Sequence, residues 1–205
     1  MQNGQAAFAS VTDNWPTREP HFIATGSSLP SKSMTPAQQK EVEDLAVKTA
    51  QALGLRDGVV HIEGKYTKEG ARIIEANGRM GGVYVRDWVK AVWGVDLVDQ
   101  QLLVAAGIPV APYKPAQALT HLEGEFIIPE EHGILSAFGI SQEGREHDGF
   151  QEIREVRHVG DELKPPFQAR VGMLVARGGS SSEAQKNLDQ LRAQMILEIN
   201  PKHQP

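Results

Sequence analysis

Glu63 and Glu75 are the residues of this chain whose types and spacing first suggest chemistry. Each lies inside a short apolar run, HIEGKY and RIIEAN, and the second run leads directly into NGRMGG. Strand side chains alternate faces, so His61, Glu63 and Lys65 are expected on one face of the first run. Glu75 and Asn77 share a face of the second, while Ile74 and Ala76 point toward the core. Register decides whether the two polar faces coincide. A three-residue loop of Lys68, Glu69 and a left-handed Gly70 sets Thr67 opposite Ala71 and Glu63 opposite Glu75. A two-residue loop places Glu63 opposite Ile74 and on the wrong face. Gly70 therefore favours the register in which the carboxylates meet.

Two carboxylates opposed at about 4.5–5.5 Å between Cβ atoms repel unless something neutralises them. Magnesium prefers hard oxygen ligands, commonly one or two carboxylates with waters and substrate phosphates, and Glu63, Glu75 and the Asn77 side-chain oxygen could offer such a set. The alternative is a wetted hairpin face on which Lys65 and Arg72 merely offset the acids. NGRMGG also has two readings. Asn77-Gly78 is a common tight-turn dipeptide. Glycines also let backbone N–H groups approach an anion, and Arg79 adds a fork of donors for phosphate or carboxylate. His61, beside these groups, is expected to be a structural strand histidine rather than a base.

The elements that must position these residues are legible in outline. AAFASV reads as a strand over Ala6–Val11, and the polar, proline-bearing stretch Thr12–Ser33 reads as a long irregular connection. TPAQQKEVEDLAVKTAQALG predicts a helix with Thr35 as N-cap, Pro36 at the first position, Gln38 closing a capping box and Gly54 as the stop. Val42, Leu45, Ala46, Thr49 and Leu53 form its packing stripe. The glutamate-bearing runs predict a hairpin of Val59–Tyr66 and Ala71–Ala76. VYVRDWVKAVWG and VDLVDQQLLVAAG predict two helices, broken at Gly94 and ended at Gly107. Prolines 109, 112 and 115 mark a subdomain boundary. Beyond it the strand patterns ALTHLEGEFIIP, GILSAFGI, FQEIREVRHV and FQARVGMLVARG precede a last helix, capped by Ser180 with Glu183 and burying Ala184, Leu188, Leu191 and Met195.

The totals narrow the function classes. A chain of 205 residues with 40% hydrophobic content can build a sizeable core. Its net charge of −5 gives no clustered positive field, so no nucleic-acid partner is expected. The absence of cysteine removes disulfides, thiolate metal sites and cysteine nucleophiles. No signal-peptide pattern and no membrane-length apolar run stands out, so a cytoplasmic location is the expectation.

An acid ending a first strand, a glycine turn, then IIEANGRMGG together resemble the ATP-grasp signature, in which two acids and an asparagine hold magnesium and a following arginine meets the transferring phosphate. The continuation GGVYVRDWVKAVWGVDL and the upstream PTREPHFIATGSSLP resemble ATP-grasp carboxylate-amine ligases of the branch that joins a beta-amino acid to histidine. The C-terminal strands and GMLVARGGSSSEAQ resemble the small closing subdomain of the amino-acid ligase branch. The resemblance implies an α+β chain. Residues 1–112 would be the C-terminal half of an ATP-grasp fold, an antiparallel sheet with flanking helices, and 113–205 a small strand-rich subdomain.

Residue by residue, it implies that Glu63, Glu75 and Asn77 hold Mg2+ (or Mn2+) and through it ATP. Arg79 would be the catalytic group on the phosphoryl, and Arg79, Gly81 and Gly82 would lie against the substrate. The implied reaction is ATP-dependent amide formation through an acylphosphate, with amino acids such as beta-alanine and histidine. Gly78 departs from the branch, which usually has proline there. The family's phosphate-binding lysine and adenine-clasping strand belong to upstream subdomains, so the chain is expected to be an incomplete fragment that needs those N-terminal subdomains as partners. A non-catalytic binding or partner module is the alternative, and self-association as a homo-oligomer through Ala6–Val11 is a further expectation.

Overall fold

The computed structural model describes residues 1–82, 84–165 and 170–201. In chain order its elements are β1 (Asp13–Asn14), β2 (Gly26–Leu29), α1 (Pro36–Ala52), β3 (His61–Thr67), β4 (Gly70–Asn77), α2 (Val85–Trp93) and α3 (Leu97–Ala105). The second half of the chain adds β5 (His121–Ile127), β6 (Gly133–Ile140), α4 (Gln142–Glu146), β7 (Phe150–Glu155), β8 (Glu162–Leu163), β9 (Gly172–Gly178), α5 (Ser181–Arg192) and β10 (Met195–Pro201). The fold is α+β, as expected, with antiparallel pairing of β3 with β4, of β9 with β5 and β7, and of β6 with β10 and β8. Among the described residues no helix is long and apolar enough to cross a membrane.

Two compact units share the chain, the first made of Met1–Asp13 and Leu29–Leu119, the second of Asn14–Ser28 and Thr120–Pro205. The sequence expectation of a change at residue 112 did not include this crossing of residues 14–28 into the second unit.

In the first unit, α1 begins as its capping box dictates. The Gln38 amide donates to Thr35 Oγ1 at 3.3 Å, and the Thr35 amide donates to Gln38 Oε1 at 2.8 Å. Just upstream, the buried Asp13 carboxylate accepts from Ser31 Oγ and from the amides of Lys32 and Ser33 at 2.6–2.8 Å, fixing the turn into the helix. Ala50 is fully buried and Val42, Leu45, Ala46 and Thr49 are half-buried. Leu53 does not join them. It is the C-cap residue, 59% exposed, where the chain has already left the helical stripe.

Glu41 fastens α1 to the β3–β4 hairpin. Its carboxylate accepts from the Ala71 amide at 3.0 Å and from Tyr66 Oη at 2.7 Å, and these two bonds, the amide first, hold its pKa below the ordinary value. A carboxylate with a lowered folded pKa contributes stability that is complete above its ordinary value of 4.5 and lost as pH falls through the lower folded value. Glu41→Gln should therefore flatten part of the acid limb of the stability profile while leaving α1 helical. An unchanged acid limb in thermal melts between neutral and acid pH would rule this out.

The segment Ala6–Val11 is not a strand. Asn3 and Gly4 turn the chain with positive φ, and side chains rather than a ladder hold the residues beyond them: Trp93 Nε1 donates to Ser10 Oγ at 2.8 Å, and the Lys114 ammonium lies 5.7 Å from the centre of the Phe8 ring. The two predicted helices are present. Trp88, Val89 and Val92 of α2 are buried, Gly94 ends it in the left-handed conformation, and Asp96 caps α3 through the amides of Val98 and Asp99.

The second unit carries a five-stranded sheet in the order β1-β2-β5-β9-β7 and a three-stranded sheet in the order β10-β6-β8. Leu135, Leu163, Val171, Leu174, Ala176, Leu188 and Leu191, all fully buried, form its core. The Thr12–Ser33 stretch is thus not simply an irregular connection. Gly26, Ser27, Ser28 and Leu29 form a fully buried strand that apolar periodicity could not show, since its interior is hydroxyl-bearing. Trp15 Nε1 donates to Ser28 Oγ at 2.8 Å, and Ser28 Oγ donates to the buried Glu123 carboxylate. The final helix buries Ala184, Leu188 and Leu191 as predicted, but Met195 belongs to β10, because α5 stops at Arg192 and the chain turns back to pair with β6.

Candidate functional site

The β3–β4 hairpin closes around Lys68 and Glu69, with Thr67 paired to Gly70. Gly70 is required there: its φ is +96°, and a Cβ would stand 2.6 Å from Glu41 Oε1. This is the two-residue closure that by itself sets Glu63 opposite Ile74. A bulge corrects it. Gly64 pairs with Ile73 but Glu63 pairs with Glu75, so Ile74 is the extra residue of β4 and the register steps by one. Glu63 and Glu75 stand opposite each other in the register, as the sequence reading expected, but by a bulge rather than by a three-residue loop. Ile74, assigned to the core from alternation, is 68% exposed for the same reason.

Three cross-strand pairs succeed one another along the hairpin: His61 with Asn77, Glu63 with Glu75, and Lys65 with Arg72. The neighbouring pair, Tyr66 with Ala71, faces α1 through Glu41, so alternation turns these three away from the helix. His61 Nε2 lies 3.3 Å from Glu63 Oε1. A Cβ on the buried Gly81 would stand 2.9 Å from Val85 Cβ and 3.1 Å from His61 Nδ1, which brings the glycine turn against the same histidine. Gly82 is exposed, with nothing within 4 Å of where a side chain would start. Arg79 is exposed as well, and its Nη1 donates to the Met80 carbonyl at 3.0 Å.

Lys65 and Arg72 do not offset Glu63 and Glu75. Arg72 is committed to the turn, with Nη2 3.0 Å from Glu69 Oε2 and Nη1 donating to the carbonyls of Glu69 and Ala71. Lys65 makes no ion pair among the described residues, and neither does Glu75. The surface reading in which Lys65 and Arg72 neutralise the acids therefore lacks its contacts.

The donor set suits a hard divalent cation. It provides two opposed carboxylates and an amide oxygen on Asn77, while the Asn77 Nδ2, buried without a hydrogen-bond partner, is an N–H donor and no ligand. Among the described residues no three His, Cys, Asp or Glu side chains converge on one point, so waters and phosphates would complete the shell. The sequence reading missed the contact of Gly81 with His61, which no spacing rule reports. A groove of about 520 Å³ lined by Gln2, Asp57, Gln101, Val104 and Pro109 contains none of these residues.

Comparison with known proteins shows the fold and a partial family match. The ATP-grasp domain family matches residues 1–87. Phosphoribosylglycinamide synthetase from Anaerococcus prevotii superimposes on 97% of the chain with a TM-score of 0.81 at 18% identity, and L-amino acid ligase from Bacillus licheniformis on 87% with a TM-score of 0.75 at 16% identity. Over residues 1–87 the chain matches the ATP-grasp domain family, and it shares the fold of these two solved enzymes.

It is also similar to carnosine synthase 1 of Gallus gallus, with 41% identity over 138 residues, 67% of this chain. The chain spans 15% of the length of that relative, and 51% and 45% of the two solved chains.

Proposed function

We propose that this chain supplies the magnesium- and phosphate-binding part of an ATP-dependent ligase that forms amide bonds between amino acids, of the carnosine synthase kind, with beta-alanine and histidine as representative substrates. The observation that carries the reading is the opposition of Glu63 and Glu75 beside Asn77, with Arg79 two residues on. Glu63, Glu75 and the Asn77 amide oxygen would hold the cation. Magnesium, when bound, offsets the negative charge of the phosphates. The Arg79 guanidinium would donate to the phosphoryl group in flight, where planar two-pronged contact stabilises charge spread over several oxygens. The carboxylate of one substrate attacks the terminal phosphorus of ATP and ADP leaves, giving an acylphosphate. The amine of the second substrate then displaces inorganic phosphate and loses a proton, leaving the amide. No step requires a covalent bond to the protein.

The coverage of half of each solved relative supports a second element of the proposal, that the remaining ATP-grasp subdomains complete the triphosphate and adenine sites. The chain alone should then bind manganese and ATP weakly, as followed by Mn2+ electron paramagnetic resonance, and make no dipeptide. Sustained ADP release coupled to dipeptide formation by the chain alone would overturn that element. Manganese binding indifferent to both Glu63→Gln and Glu75→Gln would overturn the site.

Arg79→Lys keeps the charge but not the fork, and should weaken ATP binding in the presence of magnesium by about tenfold. Equal affinity would return Arg79 to a surface residue of the turn.

A further inference from the structure

We infer that Lys65 is a phosphate-contacting residue, the positive end of a charge-separated face whose negative end is Glu63 and Glu75. The inference rests on the reading of the acidic pair as a cation site and goes beyond it. Like charges opposed across a strand pair are destabilising, and this hairpin carries two such pairs in succession, Glu63 with Glu75 and Lys65 with Arg72. Nothing in the hairpin relieves either at Lys65 or Glu75. The pairs do not neutralise one another, since Arg72 is bound to Glu69 and to two carbonyls, and Lys65 has no ion-pair partner among the described residues. With Arg72 offset by Glu69, Lys65 is the cation of this face that remains for an anion.

Position selects which anion. Glu63 and Lys65 are two residues apart on one face of β3, about 7 Å along the strand. Magnesium held at Glu63 and Glu75 keeps waters and takes phosphate oxygens as its other ligands. A polyphosphate bound there extends several ångströms from the metal with charge that the metal does not fully balance. The flexible four-carbon stem of Lys65 lets its ammonium follow that charge, which suits an ammonium better than a rigid fork. Arg72, ion-paired with Glu69 at the turn, makes no contact with that charge. The chemical class recognised is a magnesium polyphosphate, whether the tail of a nucleoside triphosphate or a free polyphosphate.

The test is titration of the 205-residue chain, 15N-labelled, with magnesium and inorganic tripolyphosphate, monitoring the amide resonances of β3 and β4. The wild type should show saturable shifts in the hairpin. Lys65→Met, which keeps the stem, should weaken the apparent affinity about tenfold, Lys65→Arg should restore most of it, and Lys68→Met on the turn should leave it near the wild-type value. The thermal midpoint of Lys65→Met should not fall, since a like-charge pair has been removed. Unchanged affinity in Lys65→Met, alongside loss of magnesium dependence in Glu75→Gln, would overturn the Lys65 inference and leave the cation site standing. Equal losses in Lys65→Met and Lys68→Met would reduce the effect to net charge and overturn it too. Absence of any hairpin shift in the wild type would overturn both readings.

Discussion

Glu75→Gln should reduce the affinity of the chain for Mn2+ in the presence of ATP by more than about 100-fold, because changes in groups that only support a metal ligand already cost 10–100-fold. Glutamine keeps the shape and one oxygen of the side chain while removing its charge. It also removes the repulsion between Glu63 and Glu75, which stand opposite each other in the hairpin register. The same variant should therefore be at least as resistant to unfolding as the wild type in the absence of metal. Loss of cation binding together with unimpaired stability is the combination that a ligand role predicts. A purely wetted hairpin face would show neither effect, and Mn2+ affinity within a few-fold of the wild type would sink the assignment. In a working ligase the variant should lose turnover to a similar extent, since phosphate charge would be left unbalanced.

Leu188→Ala carries the largest expected effect on folding. Leu188 is fully buried in α5 among Leu135 of β6, Leu163 of β8, Leu174 of β9 and Leu191. Removal of its isobutyl group loses transfer energy and leaves a cavity, together about 2–5 kcal/mol. For a chain of ordinary marginal stability that is a large fraction of the total. Denaturant unfolding should show the midpoint displaced with little change in slope. A loss below about 1 kcal/mol would mean that the α5 interface repacks and that the second unit's core is looser than its burial indicates.

Local chemistry made the helices legible in the sequence. Thr35, Pro36 and Gln38 start α1, Gly94 stops α2, and Ser180 with Glu183 starts α5, because capping depends on a few adjacent side chains and the backbone groups they satisfy. Strands were legible only where apolar residues alternate. β2 was missed because Gly26, Ser27 and Ser28 look like loop residues until a sheet closes over them, β8 because two residues carry no period, and β10 because Met195 was assigned to the helix before it. Strand identity depends on partners distant in sequence, such as β6 for β10.

For the candidate site, the sequence by itself determined the residue types: two acids on strands, an asparagine two positions after the second, and an arginine beyond a glycine. Those types fix the chemistry, since carboxylates, an amide oxygen and a guanidinium are suited to a hard cation and its phosphates whatever holds them. Only the tertiary structure decided that the acids stand opposite each other. With a two-residue closure at Lys68 and Glu69 the regular register would have separated them, and the bulge at Ile74 restored their opposition. The structure likewise decided that Arg72 is spent on Glu69 while Lys65 is not, and that Gly81 rests on His61. These outcomes depend on where a strand slips by one residue and on which acceptor lies nearest a long side chain. Both are properties of assembled backbone, to which the identity of a residue and its spacing along the chain give no access.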